Sequence, residues 1–173
     1  MLGSRFDSNS SENRVRRDLV HEKCRAYTRS PSKGHFKKLK EIFLNCGIGT
    51  RIEYGFHCDY GNKVSLGENV YINVNCCILD GGLVEIGNDV LIGPNVQIIT
   101  LNHDLNGTKR TEKFSYIKDV KIGNNVWIGA GAIILPGAII EDNVVVAAGS
   151  IAKGLLCSNY LYGGNPSVKI KKI

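Results

Sequence analysis

Long apolar runs are absent from this sequence. No stretch approaches the ~18 consecutive apolar residues that span a bilayer, and no apolar secretory segment follows Met1. This argues against a membrane protein and against an exported one, so we expect a cytoplasmic protein with no membrane partner. Charged residues make up 22% of the 173 residues and hydrophobic residues 43%, which argues against a disordered chain.

Patterns for disulfides and metals are also missing. No C-x-x-C pair occurs among the six cysteines, so we expect neither a cysteine zinc site nor disulfides, but reduced thiols. The four histidines, which are His21, His35, His57 and His103, form no H-x-x-x-x-H pair. We therefore expect no metal.

The excess of positive over negative charge lies in the first quarter of the chain. Residues 1–46 hold 11 Lys/Arg against 5 Asp/Glu, a difference of +6, whereas residues 47–173 hold 11 of each. Such a segment could attract an anionic ligand or nucleic acid. Because no aromatic residues are interleaved with these charges in the way typical of nucleic-acid binding, we expect no nucleic-acid partner.

What the sequence does contain is a repeat with a period of six. The string IGNDV at 86–90 returns as IGPNV at 92–96, IGNNV at 122–126 and IGAGA at 128–132. Aliphatic residues lead each hexapeptide, and small or β-branched residues follow four positions later. The leads are Ile86, Ile92, Ile98, Ile122, Ile128, Ile134, Ile140 and Val146. Upstream the same template fits the lead and follower pairs Ile48/Ile52, Tyr60/Val64, Leu66/Val70, Ile72/Cys76 and Ile78/Gly82.

A period of six is the spacing of a parallel β-helix, in which each hexapeptide forms one flat face of a coil. We predict a helical cap over residues 1–46, a parallel β-helix over 47–166 and a basic tail over 167–173. Residues 48–151, without a loop, make roughly five coils. Apolar residues at helical spacing predict one helix over about 11–29 and a second over about 32–45. Residues 101–119 leave the period and predict an extruded loop, and long loops on compact scaffolds are often functional. A two-residue insertion near Asp80 is the other interruption.

His103 lies at the root of that loop, in Thr100-Leu101-Asn102-His103-Asp104. Imidazole is the side chain best suited to accept a proton near neutral pH, so His103 is the candidate general base.

Six segments form a pattern that is more specific than the hexapeptides alone: Cys58-Asp59-Tyr60-Gly61, Tyr71-Ile72-Asn73-Val74-Asn75, Ile78-Leu79-Asp80, residues 122–129, Leu135-Pro136-Gly137 and Gly163-Gly164-Asn165-Pro166. Through these segments the chain resembles the hexapeptide-repeat acyltransferases, and within them the maltose and galactoside O-acetyltransferases. The resemblance covers nearly the whole chain. It implies an all-β core, a left-handed parallel β-helix with a small N-terminal α-helical cap, that assembles as a homotrimer with active sites between subunits.

The activity implied is acetyl transfer from acetyl-CoA to a sugar hydroxyl, with His103 as the base and Asn73 near the reacting thioester. The resemblance places the acceptor near Asp59, Tyr71, Asn73, Asp80 and Asp7. It places CoA against the backbone of Ala130 and Ala148, beside Trp127. Lys153, Lys169 and Lys171 could replace the basic residues that the family sets on the nucleotide phosphates, at positions where this chain departs from the family pattern.

Several alternatives stay open at the level of sequence. The acceptor could be a polysaccharide unit or an antibiotic, and transfer to nitrogen is not distinguished from transfer to oxygen. The chain could also be a non-catalytic solenoid that binds a partner. A γ-type carbonic anhydrase is disfavoured because its three zinc-binding histidines are not present in the required pattern.

Overall fold

The structure, a computed structural model, describes residues 3–173. Its core is a coil of short parallel strands stacked in three sheets, which we call faces 1, 2 and 3. Face 1 contains β2 (Asn45–Cys46), β5 (Val64–Leu66), β8 (Val84–Ile86), β13 (Val120–Ile122), β16 (Ile139–Ile140) and β19 (Leu155–Leu156). Face 2 contains β3 (Arg51–Ile52), β6 (Tyr71–Ile72), β9 (Leu91–Ile92), β14 (Trp127–Ile128), β17 (Val145–Val146), β20 (Tyr160–Gly164) and β21 (Ser167–Lys172). Face 3 contains β4 (His57–Cys58), β7 (Cys77–Leu79), β10 (Gln97–Ile99), β15 (Ile133–Ile134) and β18 (Ile151–Ala152).

The six-residue period is the reason for this coil. All eight predicted lead residues are 4% exposed or less, and parallel partners such as Ile98 and Ile134 stack directly above one another. The prediction of a parallel β-helix is confirmed. It underestimated the length, because face 1 has six strands and the first coil begins at β2. Ile48, predicted to point inward, is 84% exposed, whereas Ile52 is buried as expected.

The N-terminal helices lie against the first coils. The first, α1 (Ser11–Arg29), has the predicted bounds and is capped by Ser10, whose hydroxyl accepts from the Asn13 amide at 3.3 Å. The second, α2 (Lys33–Lys40), ends about five residues earlier than predicted. Residues 45 and 46 instead pair with β5 in face 1, because ladder pairing at the end of the coil outweighs helix propensity. None of the helices within residues 3–173 is long and apolar enough to cross a bilayer.

The loop and the tail are more regular than the sequence indicated. The loop contains β11 (Leu101–Asn102), the short helix α3 (Gly107–Arg110) and β12 (Ser115–Ile117), and β1 (Ser4–Phe6) adds a third antiparallel strand. The basic tail is β21, which pairs antiparallel with β20. The six cysteines are free, with no disulfide among them, as predicted. The division into cap, coil and tail at residues 46 and 166 stays a prediction.

Asparagines at the turns predict a stability difference that can be measured. Asn143 has φ +58°, and its amide lies in a ladder, 2.8 Å from that of Asn125 and 3.2 Å from that of Asn159. Asn143→Ala should lower the free energy of unfolding by about 1–3 kcal/mol, because it loses the ladder and forces alanine into a left-handed conformation. Asn143→Gly should cost about 1 kcal/mol less, since glycine adopts that conformation freely. Urea unfolding measures both, and equal losses would contradict the strain argument.

Candidate active site

His103 is exposed at the end of β11, where the loop leaves the corner between faces 3 and 1. The next residue, Asp104, is buried. Its carboxylate accepts from the Asn106 amide at 2.9 Å and from the Tyr116 hydroxyl at 3.4 Å. Asp104 therefore fixes the backbone beside His103, while the imidazole itself faces solvent.

The N-terminal strand β1 clamps this loop onto the coil, a contact that the sequence did not predict. Phe6 pairs with Ser115, and its ring stands edge-on to Tyr60 with centroids 5.6 Å apart. Arg5 forms an ion pair with Glu112 at 3.1 Å. Just after β1, the exposed Asp7 carboxylate accepts from the Asn9 amide at 2.8 Å and so shapes the approach to α1.

Asp80 requires a correction, because its side chain is not accessible to an acceptor. It is 0% exposed, and its carboxylate accepts from the backbone amides of Asp59, Tyr60 and Gly61 at 2.9, 3.0 and 2.6 Å. Burial raises its pKa above the usual carboxyl range, while these three amide hydrogen bonds oppose the shift. Asp80 thus fills the corner that the two-residue insertion opens, and it holds the 59–61 turn.

Asp59, one coil below, carries a partly exposed carboxylate that faces two histidines. Its Oδ1 lies 3.3 Å from His21 Nε2 and 3.9 Å from His57 Nε2. The two imidazole rings are 4.4 Å apart between centroids. Burial lowers the pKa of His57, with His21 and Arg25 acting in the same direction and Asp59 opposing them. His57 on β4 and Asp59 just after it are two residues apart, which the sequence shows, whereas nothing in the sequence pairs either of them with His21.

A second group of predicted residues lies on face 2 and on its corner with face 3. The Tyr71 hydroxyl donates to Glu53 at 3.3 Å, and burial raises its pKa. The Oδ1 of Asn73 accepts from the Val74 amide at 2.8 Å, which leaves its Nδ2 group available as a donor. Ala130 and Ala148 are exposed on the same corner and one coil apart, joined by the Gly149 amide donating to the Ala130 carbonyl at 2.8 Å.

Gly129 lets two coils stack closely at this corner. A Cβ there would lie 2.5 Å from the Ala148 nitrogen, closer than real Cβ atoms approach backbone. Gly129 itself is buried; it precedes the exposed Ala130 and follows β14, whose Trp127 is 55% exposed. The result is a stretch of bare backbone flanked by an indole, which suits a ligand that is held through amide hydrogen bonds.

The predicted lysines are not brought together in one chain. Lys169 and Lys171 lie on β21 in face 2, with Lys169 Nζ 4.3 Å from the centroid of the Tyr160 ring. Lys153 follows β18 at the opposite edge of face 3. His103, Asp59 and Asp80 also lie toward that opposite edge, whereas Asn73, Ala130 and Ala148 lie at the corner with face 2. The two groups are separated by the width of face 3, roughly 16 Å for five extended residues.

Comparison with known proteins agrees with this architecture. The family model described as "Bacterial transferase hexapeptide (six repeats)" matches residues 119–154. The galactoside O-acetyltransferase of Escherichia coli is 37% identical over 136 residues, which cover 78% of this chain and 66% of that protein. The crystal structure of a maltose O-acetyltransferase from Clostridium difficile is 35% identical, with a TM-score of 0.94 over 99% of this chain and 93% of the other. A hexapeptide-repeat acetyltransferase from Vibrio cholerae, solved with acetyl coenzyme A, is 30% identical, with a TM-score of 0.92 over 98% and 93%.

The coil and its extruded loop thus define a hexapeptide-repeat transferase with the left-handed β-helix of that class. More closely, the chain belongs to the maltose and galactoside O-acetyltransferase family. It is an acetyltransferase, and the predictions of family, fold and enzyme class are confirmed. The roles of individual residues in the site stay predictions.

Proposed function

We propose that the protein transfers the acetyl group of acetyl-CoA to a hydroxyl of a sugar or a related small acceptor. The names of its relatives support this acceptor class, and the acetyl coenzyme A bound to the Vibrio cholerae structure supports the donor. A cytoplasmic location and the absence of a nucleic-acid partner are part of the same proposal.

His103 acts as the general base in this reaction. Its imidazole takes the proton of the acceptor hydroxyl as the oxygen attacks the thioester carbonyl carbon. The tetrahedral intermediate then collapses, the carbon–sulfur bond breaks, and the imidazolium returns the proton to the leaving thiolate. The free Nδ2 of Asn73 donates to the oxyanion, which is where a positioned amide lowers the barrier most.

The remaining residues bind the two substrates. The exposed amides of Ala130 and Ala148 hydrogen-bond the pantetheine arm, Trp127 packs beside it, and Lys153, Lys169 and Lys171 attract the nucleotide phosphates. Asp59, Tyr71 and Asp7 contact the acceptor hydroxyls. Asp80 contributes indirectly, because it fixes the turn that carries Asp59.

The active site is formed between subunits of a homotrimer. The observation that carries this proposal is the separation of His103 from Asn73, Ala130 and Ala148 across the width of face 3. A threefold arrangement brings the loop edge of one subunit against the corner between faces 2 and 3 of the next subunit. Trp127 and Leu91 are about half exposed on face 2 and suit such an interface.

A mixing experiment tests both the activity and the shared site. His103→Ala and Asn73→Ala chains, each nearly inactive alone, are co-expressed at equal levels and assayed with acetyl-CoA and a panel of sugars, with free CoA detected by a thiol reagent. If His103 and Asn73 come from different subunits, random trimers regain roughly a quarter of wild-type activity, because one site in four has both residues intact. Light scattering of the wild type should give three times 18.9 kDa.

Two outcomes would contradict the proposal. No acetylation of any sugar by the wild type would remove the acceptor class, and mixtures no more active than either variant alone would remove the shared site. A mixture of His103→Ala with His35→Ala sets the level of activity reached when one partner is fully active, because His35 is a half-buried residue on α2 outside the proposed site.

A further inference from the structure

The cluster of His21, His57 and Asp59 joins the helical cap to the first coil. His21 is on α1, and His57 and Asp59 are on and just after β4. Their side chains are between 17% and 41% exposed, and one ligand atom from each lies within 4.8 Å of the other two. The acetyl-transfer chemistry proposed above uses neither histidine.

The spacing of these atoms suits a small transition-metal ion. Zinc bonded at 2.0–2.1 Å in a tetrahedron places its ligand atoms about 3.3 Å apart. His21 Nε2 and Asp59 Oδ1 are at 3.3 Å, and His57 Nε2 and Asp59 Oδ1 at 3.9 Å, so closure requires only side-chain adjustments of the order of 1 Å. Two imidazoles and one carboxylate form a donor set that zinc and its neighbours prefer, whereas magnesium and calcium prefer oxygen alone.

The charges beside the cluster have opposite effects on a bound cation. The Asp59 carboxylate faces both imidazole rings and attracts a cation. Arg25, one turn after His21 on α1, is the nearby charge that repels a cation.

We propose that His21, His57 and Asp59 bind one Zn²⁺, or a similar divalent transition metal, per chain. This proposal differs from our expectation from sequence that no metal is bound. The ion would tie α1 to β4, and its fourth coordination position would face solvent on the side where the three side chains are exposed. The site shares Asp59 with the proposed acceptor contacts, but its test needs neither substrate.

Isothermal titration of the metal-free, untagged protein with zinc chloride tests the proposal. We expect about one zinc per chain, no binding of magnesium, and weaker binding at acidic pH, where protons compete for the imidazoles. His21→Gln and His57→Gln should each weaken binding by at least about 10-fold to 100-fold, which is the loss seen when even the outer partners of a metal site are removed. His35→Gln is the matched control, because His35 lies on α2 with its ring 2.8 Å from the Ser30 carbonyl, outside the cluster. The His35→Gln variant should bind zinc as tightly as the wild type.

A second measurement avoids substitution altogether. Zinc should protect His21 and His57 of the wild-type protein from modification by diethylpyrocarbonate, as read by mass spectrometry. It should not change the reactivity of the exposed His103 or of the half-buried His35, which lies outside the cluster. Binding of less than half a zinc per chain would overturn the proposal. Undiminished affinity in both cluster variants, or equal protection of all four histidines, would also overturn it.

Discussion

Replacing His103 with alanine should lower kcat by about 10²-fold to 10⁴-fold and leave the KM for acetyl-CoA nearly unchanged. The reason is the division of the site. The groups proposed to hold CoA are the backbone of Ala130 and Ala148, Trp127 and the lysines, and none of them depends on an imidazole in the loop. The hydroxyl of the acceptor, by contrast, is a poor nucleophile until a base takes its proton.

Dependence on pH separates loss of the base from general damage. A protonated ring cannot accept a proton, so the wild-type rate should fall toward acidic pH. This fall is the acidic limb of the pH–rate profile, and His103→Ala should lose it. Asn73→Ala should slow the reaction but keep the limb, because its role is to stabilise the oxyanion. The control is His35→Ala, expected to behave as wild type. If His103→Ala retained more than about a third of the wild-type rate, the base would have to be another group, beginning with Asp59.

Replacing Asp80 with alanine should destabilise the fold strongly, by roughly 3–6 kcal/mol. The substitution leaves three amides, at residues 59, 60 and 61, without their acceptor at a buried corner, and each such donor costs about 1–2 kcal/mol. Asp80→Asn should lower the free energy of unfolding by less, since one carbonyl oxygen remains to accept. Its NH₂ group would nevertheless face one of these backbone amides, which is also a donor. Urea unfolding measures both, with the exposed Asp18→Asn as the matched control. A loss below 1 kcal/mol for Asp80→Ala would show that water replaces the carboxylate at this corner.

The same carboxyl predicts the direction of a pH effect. Burial raises the pKa of Asp80 in the native state, so the native state holds this proton more tightly than the unfolded state does. Its contribution to stability therefore falls as the pH rises from the ordinary carboxyl range through the raised native pKa. The stability difference between wild type and Asp80→Asn should shrink over that interval.

Where the period of six was regular, the fold could be read from the sequence. From Leu66 onward the lead positions were predicted correctly, because one inward residue per hexapeptide is enough to set the register of a stacked strand. The first coils were harder. Ile48 fits the template, but β2 starts the coil at Asn45–Cys46, so that Cys46, Ile52 and Cys58 form the six-residue series there. Both the register that begins at Ile48 and the one that begins at Cys46 place apolar residues inward, so the local sequence did not distinguish between them.

The candidate site could be predicted only in part, for a different reason. Resemblance located His103, Asn73, Ala130 and Ala148 at the loop root and on the open corner. It also assigned Asp80 to the acceptor, because the sequence does not show whether a carboxylate is buried or exposed. The burial of Asp80 depends on backbone amides one coil away. The approach of His21 to His57 depends on how α1 docks on β4, a long-range packing event that no spacing along the chain records.

The strand β1 has a consequence for the order in which the protein folds. Ser4 pairs with Ile117, 113 positions later in the chain, so this contact closes one of the longest chain segments in the molecule. The stacked coils grow through contacts about twenty residues apart and can form one after another, whereas β1 has no partner until the loop has been synthesised and folded. The contacts between β1 and the loop should therefore form late, so that the surroundings of His103 are completed after the coils beside them have stacked.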